Sequence, residues 1–152
     1  MVTATNPRRM ARAASLAALL IVPVVTCGCL DWLECLFPGP ATATVQNVTP
    51  SEANTLIEDH AGDANFVILD VRTPAEFGAG HLANALNEDY YGLNFEPNMD
   101  ARDKSLTYLV HCKSGGRSSN AADYMVGVGF TDVYNMTGGY DQWVAEGYPT
   151  VP

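Results

Sequence analysis

Apolar and polar positions along this chain follow two rhythms, one with a period near two and one near 3.6, and the switches between them mark strands and helices. Val45 to Val48 is a short β-branched run and predicts a first strand. Thr49-Pro50-Ser51-Glu52 then opens a helix, with Thr49 as N-cap, Pro50 at the first helical position and Glu52 as the return arm of a capping box. Ala53, Leu56 and Ile57 supply its apolar face, and Gly62-Asp63 ends it. Phe66-Val67-Ile68-Leu69 lacks polar alternation, as a strand covered on both faces does. The cap-and-proline signal recurs at Thr73-Pro74-Ala75-Glu76-Phe77, a short helix closed by Gly78 and Gly80. His81 to Leu86 reads as a weaker strand. Residues 87–104 are irregular, with Tyr90, Tyr91, Leu93 and Phe95 suited to short helical turns against a core. Leu106 to Val110 is a second buried strand. Ala121, Ala122, Met125 and Val128 then fall at helical spacing before a stop at Gly129. Asp132 to Asn135 predicts another strand, and Gly139 to Glu146 a last helix burying Tyr140, Trp143 and Val144.

Strands alternating with helices predict an α/β domain with a mostly parallel central sheet flanked by helices. Ligands of such sheets collect beyond the carboxyl ends of the strands. That edge receives Asp70-Val71-Arg72 from one strand and His111-Cys112 from another.

The chain from Leu106 to Ser119, LTYLVHCKSGGRSS, is a strand, a tight loop and a helix start in sequence. Backbone N–H groups and a helix N-terminus can converge there on one anionic point. Lys113, Arg117 and the amides between them are the groups that would stabilise a Cys112 thiolate, with Ser114 and Ser118 adding hydroxyl donors. Gly115 and Gly116 allow close backbone approach. A cysteine closing a buried strand is ordinarily an inert small hydrophobe; the loop is what argues for chemistry.

Charge and the N-terminus add a second layer. Of eight basic residues, Arg8, Arg9 and Arg12 precede the first acidic one, Asp31, which leaves five basic against seventeen acidic side chains and a formal charge of −12 beyond them. That surface repels phosphate backbones, and no basic patch offsets it, so nucleic acid is not an expected partner. The basic start followed by apolar Ala13 to Leu30 reads as an export signal over residues 1–29. Cys29, or Cys27, resembles a lipoprotein acceptor cysteine; plain signal cleavage and a disulfide near the new N-terminus are the alternatives. Membrane contact is expected only through that leader or lipid. Residues 30–44, with FPGPATA, read as a linker to a domain over 45–152.

Several motifs in order then carry a family resemblance: LDVRTPAEF at 69–77, GHL at 80–82, HCKSGGRS at 111–118, Gly138-Gly139 with Trp143, and Gly147-Tyr148-Pro149. Together they resemble a single-domain rhodanese over about residues 45–152. The resemblance implies a rhodanese-like fold and a sulfurtransferase without metal or organic cofactor. In that family the loop cysteine takes the outer sulfur of a small anionic donor such as thiosulfate and passes it from a persulfide to cyanide or a thiol, a protein acceptor included. On this chain Cys112 would be the nucleophile, Lys113 to Arg117 would hold the persulfide, Arg117 would fix the loop and Lys113 would draw in the donor. Export would place this activity in the periplasm or cell envelope. Related phosphatases and arsenate reductases place five residues between cysteine and arginine; here there are four, which favours sulfur. A rhodanese-fold binding or sulfur- and redox-sensing module is the alternative of another class.

The remaining polar residues have structural readings. Asp70 and Arg72 are expected to pair with each other or with Glu76 and so support the site. His111 and Cys112 are strand neighbours facing opposite ways, which makes His111 a poor base for the thiol. His81 suits a local turn bond, and His60, His81 and His111 show no metal-ligand spacing. Tyr90, Tyr91 and Phe95 read as packing.

Overall fold

The computed structural model describes residues 43–152. The leader, Cys27, Cys29, Cys35 and most of the expected linker lie outside the described residues.

The elements follow in the order β1 (Gln46–Val48), α1 (Pro50–Asp59), β2 (Phe66–Asp70), α2 (Pro74–Gly78), β3 (Leu86–Asn87), α3 (Phe95–Asp100), β4 (Thr107–His111), α4 (Gly116–Gly127), β5 (Asp132–Met136) and α5 (Gly139–Ala145). The five strands form one sheet ordered β1-β5-β4-β2-β3, with every neighbouring pair parallel. β2 and β4, the two runs without polar alternation, take central places, since only a strand covered on both faces tolerates apolar side chains on both.

Helices cover each face. On one, Ala121, Ala122 and Met125 of α4 and Phe95 and Met99 of α3 pack over Leu69, Tyr108, Val110 and Val133. On the other, Ala53 of α1 and Trp143 of α5 pack over Ile68, Leu109 and Met136, with Phe77 of α2 at the margin. Both cap-and-proline signals form complete capping boxes. Thr49 Oγ1 accepts from the Glu52 amide at 3.3 Å while Glu52 accepts from the Thr49 amide at 2.7 Å, and Thr73 and Glu76 repeat the pattern at 3.3 and 3.0 Å. Such caps are each worth about 1 kcal/mol.

Tyr91 and Leu93, expected to pack, stand 70% and 99% exposed, and two further expectations are corrected. His81 to Leu86 is no strand: only Leu86–Asn87 pairs with β2, because a turn closed by Ala85 N–H on the Leu82 carbonyl at 3.1 Å and a left-handed Asn84 (φ 63°) break the extension. The apolar residues there serve packing, with Leu82 buried below the sheet. Val144 is 48% exposed, not buried. It stands one helical step beyond Trp143, which alone points fully into the core.

After β2 the chain leaves toward β3 on one side, and after β4 toward β5 on the other. The sheet's switch point therefore lies between β2 and β4, at their carboxyl ends.

Candidate active site

β4 is buried from Tyr108 onward and delivers Cys112 to that switch point. The Cys112 side chain sits at the base of a loop, 1% exposed, and its Sγ accepts the Gly115 N–H at 3.1 Å. Gly115 is left-handed (φ 98°), which reverses the chain so that it is also the N-cap of α4. The Ser118 hydroxyl, one turn into the helix, donates to the Gly115 carbonyl at 3.1 Å beside the sulfur. Burial pushes the Cys112 thiol up, but the Ser118 hydroxyl and the amides of Ser118, Ser114 and Gly115 outweigh it, and the pKa is lowered overall. The thiolate is thus favoured by backbone and hydroxyl donors rather than by a cation against it.

A second glycine pair holds the loop from behind, and sequence reasoning assigned it no role. Gly138 and Gly139 are both left-handed (φ 73° and 60°) and start α5. The Tyr140 amide donates to the Cys112 carbonyl at 2.8 Å and the Asp141 amide to the Lys113 carbonyl at 2.9 Å. With these carbonyls turned back onto α5, the loop's N–H groups are left to face the sulfur. A Cβ on Gly139 would stand 2.6 Å from both carbonyls, so no side chain fits there. The available signal was the Gly-Gly pair itself, directly before a helix that begins without a Ser, Thr, Asp or Asn cap.

Arg117 reaches α2. Its Nη1 and Nη2 each donate to a Glu76 carboxylate oxygen at 2.8 Å, and the guanidinium lies 5.8 Å from the Tyr91 ring centroid. Glu76 is the capping-box residue of α2, so one carboxylate ties the start of α2 to the start of α4. The Arg117 bond is the main reason that the Glu76 pKa falls from 4.5 to about 2, and Glu76 raises that of Arg117 in return.

Asp70 and Arg72 lie buried at the end of β2. Arg72 Nε donates to Asp70 Oδ2 at 2.9 Å, and its Nη2 bonds the same carboxylate at 2.6 Å and the Gly80 carbonyl at 2.7 Å. The guanidinium stacks 4.0 Å from the Tyr140 ring, which links β2 to the helix that backs the loop. Asn87, which sequence reasoning did not single out, ties down the Asp70 and Arg72 carbonyls at 3.0 and 2.8 Å. The Asp70–Arg72 pair therefore forms internally, and Glu76 takes Arg117.

His111 is fully buried with neither ring nitrogen hydrogen-bonded, its Nε2 3.7 Å from Asp70 Oδ2. Burial lowers its pKa to about 4, so the ring is neutral at physiological pH. His81 Nδ1 contacts the Phe77 carbonyl at 3.2 Å, a turn bond. Lys113, Ser114 and Gly116 are exposed at the mouth, and among the described residues Lys113 alone of the five Lys and Arg side chains has no ion pair. No cluster of three His, Cys, Asp or Glu side chains suited to a metal occurs among the described residues.

A parallel α/β sheet carrying a cysteine loop at its switch point, with four residues between cysteine and arginine, defines a cysteine-loop α/β protein. The Rhodanese-like domain family matches residues 49–146, and the chain belongs to it. Among relatives, "Thiosulfate sulfurtransferase 16, chloroplastic" of Arabidopsis thaliana is 34% identical over 66% of this chain and 92% of its own. "Thiosulfate sulfurtransferase GlpE" of Pseudomonas putida is 40% identical over 55% of this chain and 73% of its own. Among solved structures, a rhodanese-related protein from Thermoplasma volcanium superposes with a TM-score of 0.60 at 26% identity, covering 70% of this chain and 97% of that one.

Proposed function

We propose that the domain is a sulfurtransferase that carries a sulfane sulfur on Cys112. One observation carries the reading: a buried thiol of lowered pKa sits where the Gly115 amide and the α4 N-terminus converge. The Cys112 thiolate attacks the outer sulfur of thiosulfate; a new S–S bond forms, and sulfite leaves with the electron pair of the old one. The product, Cys–S–S⁻, keeps its negative charge on the terminal sulfur, where loop amides can donate to it. A thiolate or cyanide then attacks that terminal sulfur, and the electron pair of the broken S–S bond returns to Cys112. The donor dianion enters past Lys113, the cation left unpaired, while Arg117 acts through Glu76 to hold the loop in shape. The activity that the relatives are named for and the four-residue spacing support sulfur over phosphate chemistry.

The test is mass spectrometry of the protein after thiosulfate, paired with thiosulfate:cyanide turnover. Expected are a gain of about 32 Da on Cys112, one sulfur atom, and turnover abolished in Cys112→Ser. Turnover persisting in that variant would end the mechanism. A stable adduct without turnover would instead favour a persulfide-displaying sensor.

A further inference from the structure

One surface beside the thiol has no part in the chemistry above. A cleft of about 450 Å³ lies between the α3 segment and α4, lined by Tyr90, Leu93, Phe95, Glu96, Pro97 and Tyr124. Its rim is apolar and uncovered: the lining residue Leu93 is 99% exposed, and Tyr91, between the lining residues Tyr90 and Gly92 in the chain, is 70% exposed. Isolated exposed apolar residues are unremarkable, but a fully exposed leucine beside an exposed tyrosine over an aromatic-floored cleft forms a patch that solvent disfavours. The cleft adjoins the loop, since Tyr91 is the ring that faces Arg117, and Arg117 and Tyr124 stand two turns apart on α4.

Charge selects the occupant. Glu96 lines the cleft and Asp89 precedes the rim, and neither has a cation partner among the described residues. Burial first, then the carboxylates of Asp100 and Glu96, push the Tyr124 phenol up. Thiosulfate, cyanide and anionic lipid are all the wrong sign for such a surface. A polypeptide that offers an apolar side chain to the aromatic floor and Lys or Arg to the rim has the right one.

We infer that this cleft docks the cysteine-bearing segment of an acceptor protein, a segment with an apolar anchor flanked by basic residues, and so delivers the acceptor thiol to Cys112. The inference rests on the sulfur-transfer reading for what the docked thiol receives. Leu93 and the cleft floor grip the anchor, Glu96 and Asp89 set its direction, and the donor keeps its own approach past Lys113.

The probes are a synthetic peptide with one cysteine, a leucine near it and flanking lysines, the same peptide with the lysines replaced by glutamates, and serine-for-cysteine versions of both. Binding of the labelled serine peptides to the full-length protein measures docking without sulfur transfer. The basic serine peptide is expected to bind about tenfold more tightly than the acidic one; Leu93→Ser is expected to weaken both peptides by about tenfold, as loss of an interface anchor does, and Glu96→Lys to remove most of the difference between them. With cysteine peptides the same variants should lower the transfer rate to the basic peptide and leave thiosulfate:cyanide turnover within about twofold of the parent. Equal binding of the two peptides, or no effect of either variant, overturns the docking surface. Failure of the sulfur gain on Cys112 with peptide binding intact overturns the sulfur-transfer reading alone.

Discussion

Replacing Glu76 by Gln tests whether the tie between α2 and α4 is electrostatic. Gln keeps a side-chain oxygen for the Thr73 amide, so the cap of α2 survives while the ionic half of the Arg117 bond is lost. A carboxyl held at about 2 instead of 4.5 corresponds to a ceiling of about 3 kcal/mol in favour of the ionised, paired form. Glu76 is 29% exposed, and solvent screening there leaves about 1–2 kcal/mol. The folded carboxyl is depressed, so the stabilisation is complete above the unfolded value of 4.5 and is lost as pH falls from there toward 2. Urea denaturation at pH 7 should show Glu76→Gln less stable by about 1–2 kcal/mol, with Tm lower by roughly 4–9 °C for a domain of this size. The gap between the two proteins should then close between pH 4.5 and 2. Equal stability at pH 7, or a gap that stays constant down to pH 2, would refute an ionic tie.

Gly139→Ala should lose sulfur transfer and about 2–4 kcal/mol of stability, because its methyl would collide with the Cys112 and Lys113 carbonyls at a left-handed backbone position; circular dichroism with turnover measures both, and a stable, active variant would contradict the backing role. The rate of Cys112 alkylation by iodoacetamide should rise with a midpoint below the ordinary thiol value of 9.0, and Ser118→Ala should move that midpoint upward; an unmoved midpoint would discount the hydroxyl. His111, buried and neutral with a pKa near 4, costs the protein stability as pH falls from 6.5 to 4, because the unfolded chain takes up the proton first. His111→Leu should remove that acid-sensitive step, a change of up to about 3 kcal/mol at pH 4, and an unchanged pH–stability profile would show that the ring takes up its proton as readily in the fold as in the unfolded chain.

The chain's architecture was legible wherever a local signal and the tertiary demand agreed. Thr49-Pro50 and Thr73-Pro74 begin helices because the cap chemistry is satisfied within four residues, and Phe66 to Leu69 is central because nothing in it could face water. His81 to Leu86 misled because its apolar residues pack from a turn, and apolar content without a clean period does not distinguish the two. At the site, the thiol and its loop could be read from LTYLVHCKSGGRSS, since strand, glycines and helix start are contiguous. The partners of that loop could not. Glu76 meets Arg117 across 41 positions, and Gly139 backs Cys112 across 27, contacts set by the order of strands in the sheet rather than by any local pattern.

Those distant partners change what the cations at the site can do. A loop with two basic residues around a cysteine reads as a positive pocket, yet Glu76 neutralises one of them, and its guanidinium faces an aromatic ring rather than the sulfur. The field at Cys112 is then built from the Ser118 hydroxyl and backbone amides, donors that, on the sulfur-transfer reading proposed above, need not reorganise when the charge moves from the Cys112 sulfur to the terminal sulfur of a persulfide. A flexible lysine against the thiolate would have to follow that charge outward by one bond. Lys113 stands instead at the exposed mouth, on an otherwise acidic domain, where it can steer a dianion without locking the product in place. On the proposed reading, attraction of the donor is separate from stabilisation of the persulfide, so Lys113→Ala should raise the KM for thiosulfate several-fold, more at low salt than at high, while leaving kcat nearly unchanged. A fall in kcat with KM constant would mean instead that the lysine touches the reacting sulfur.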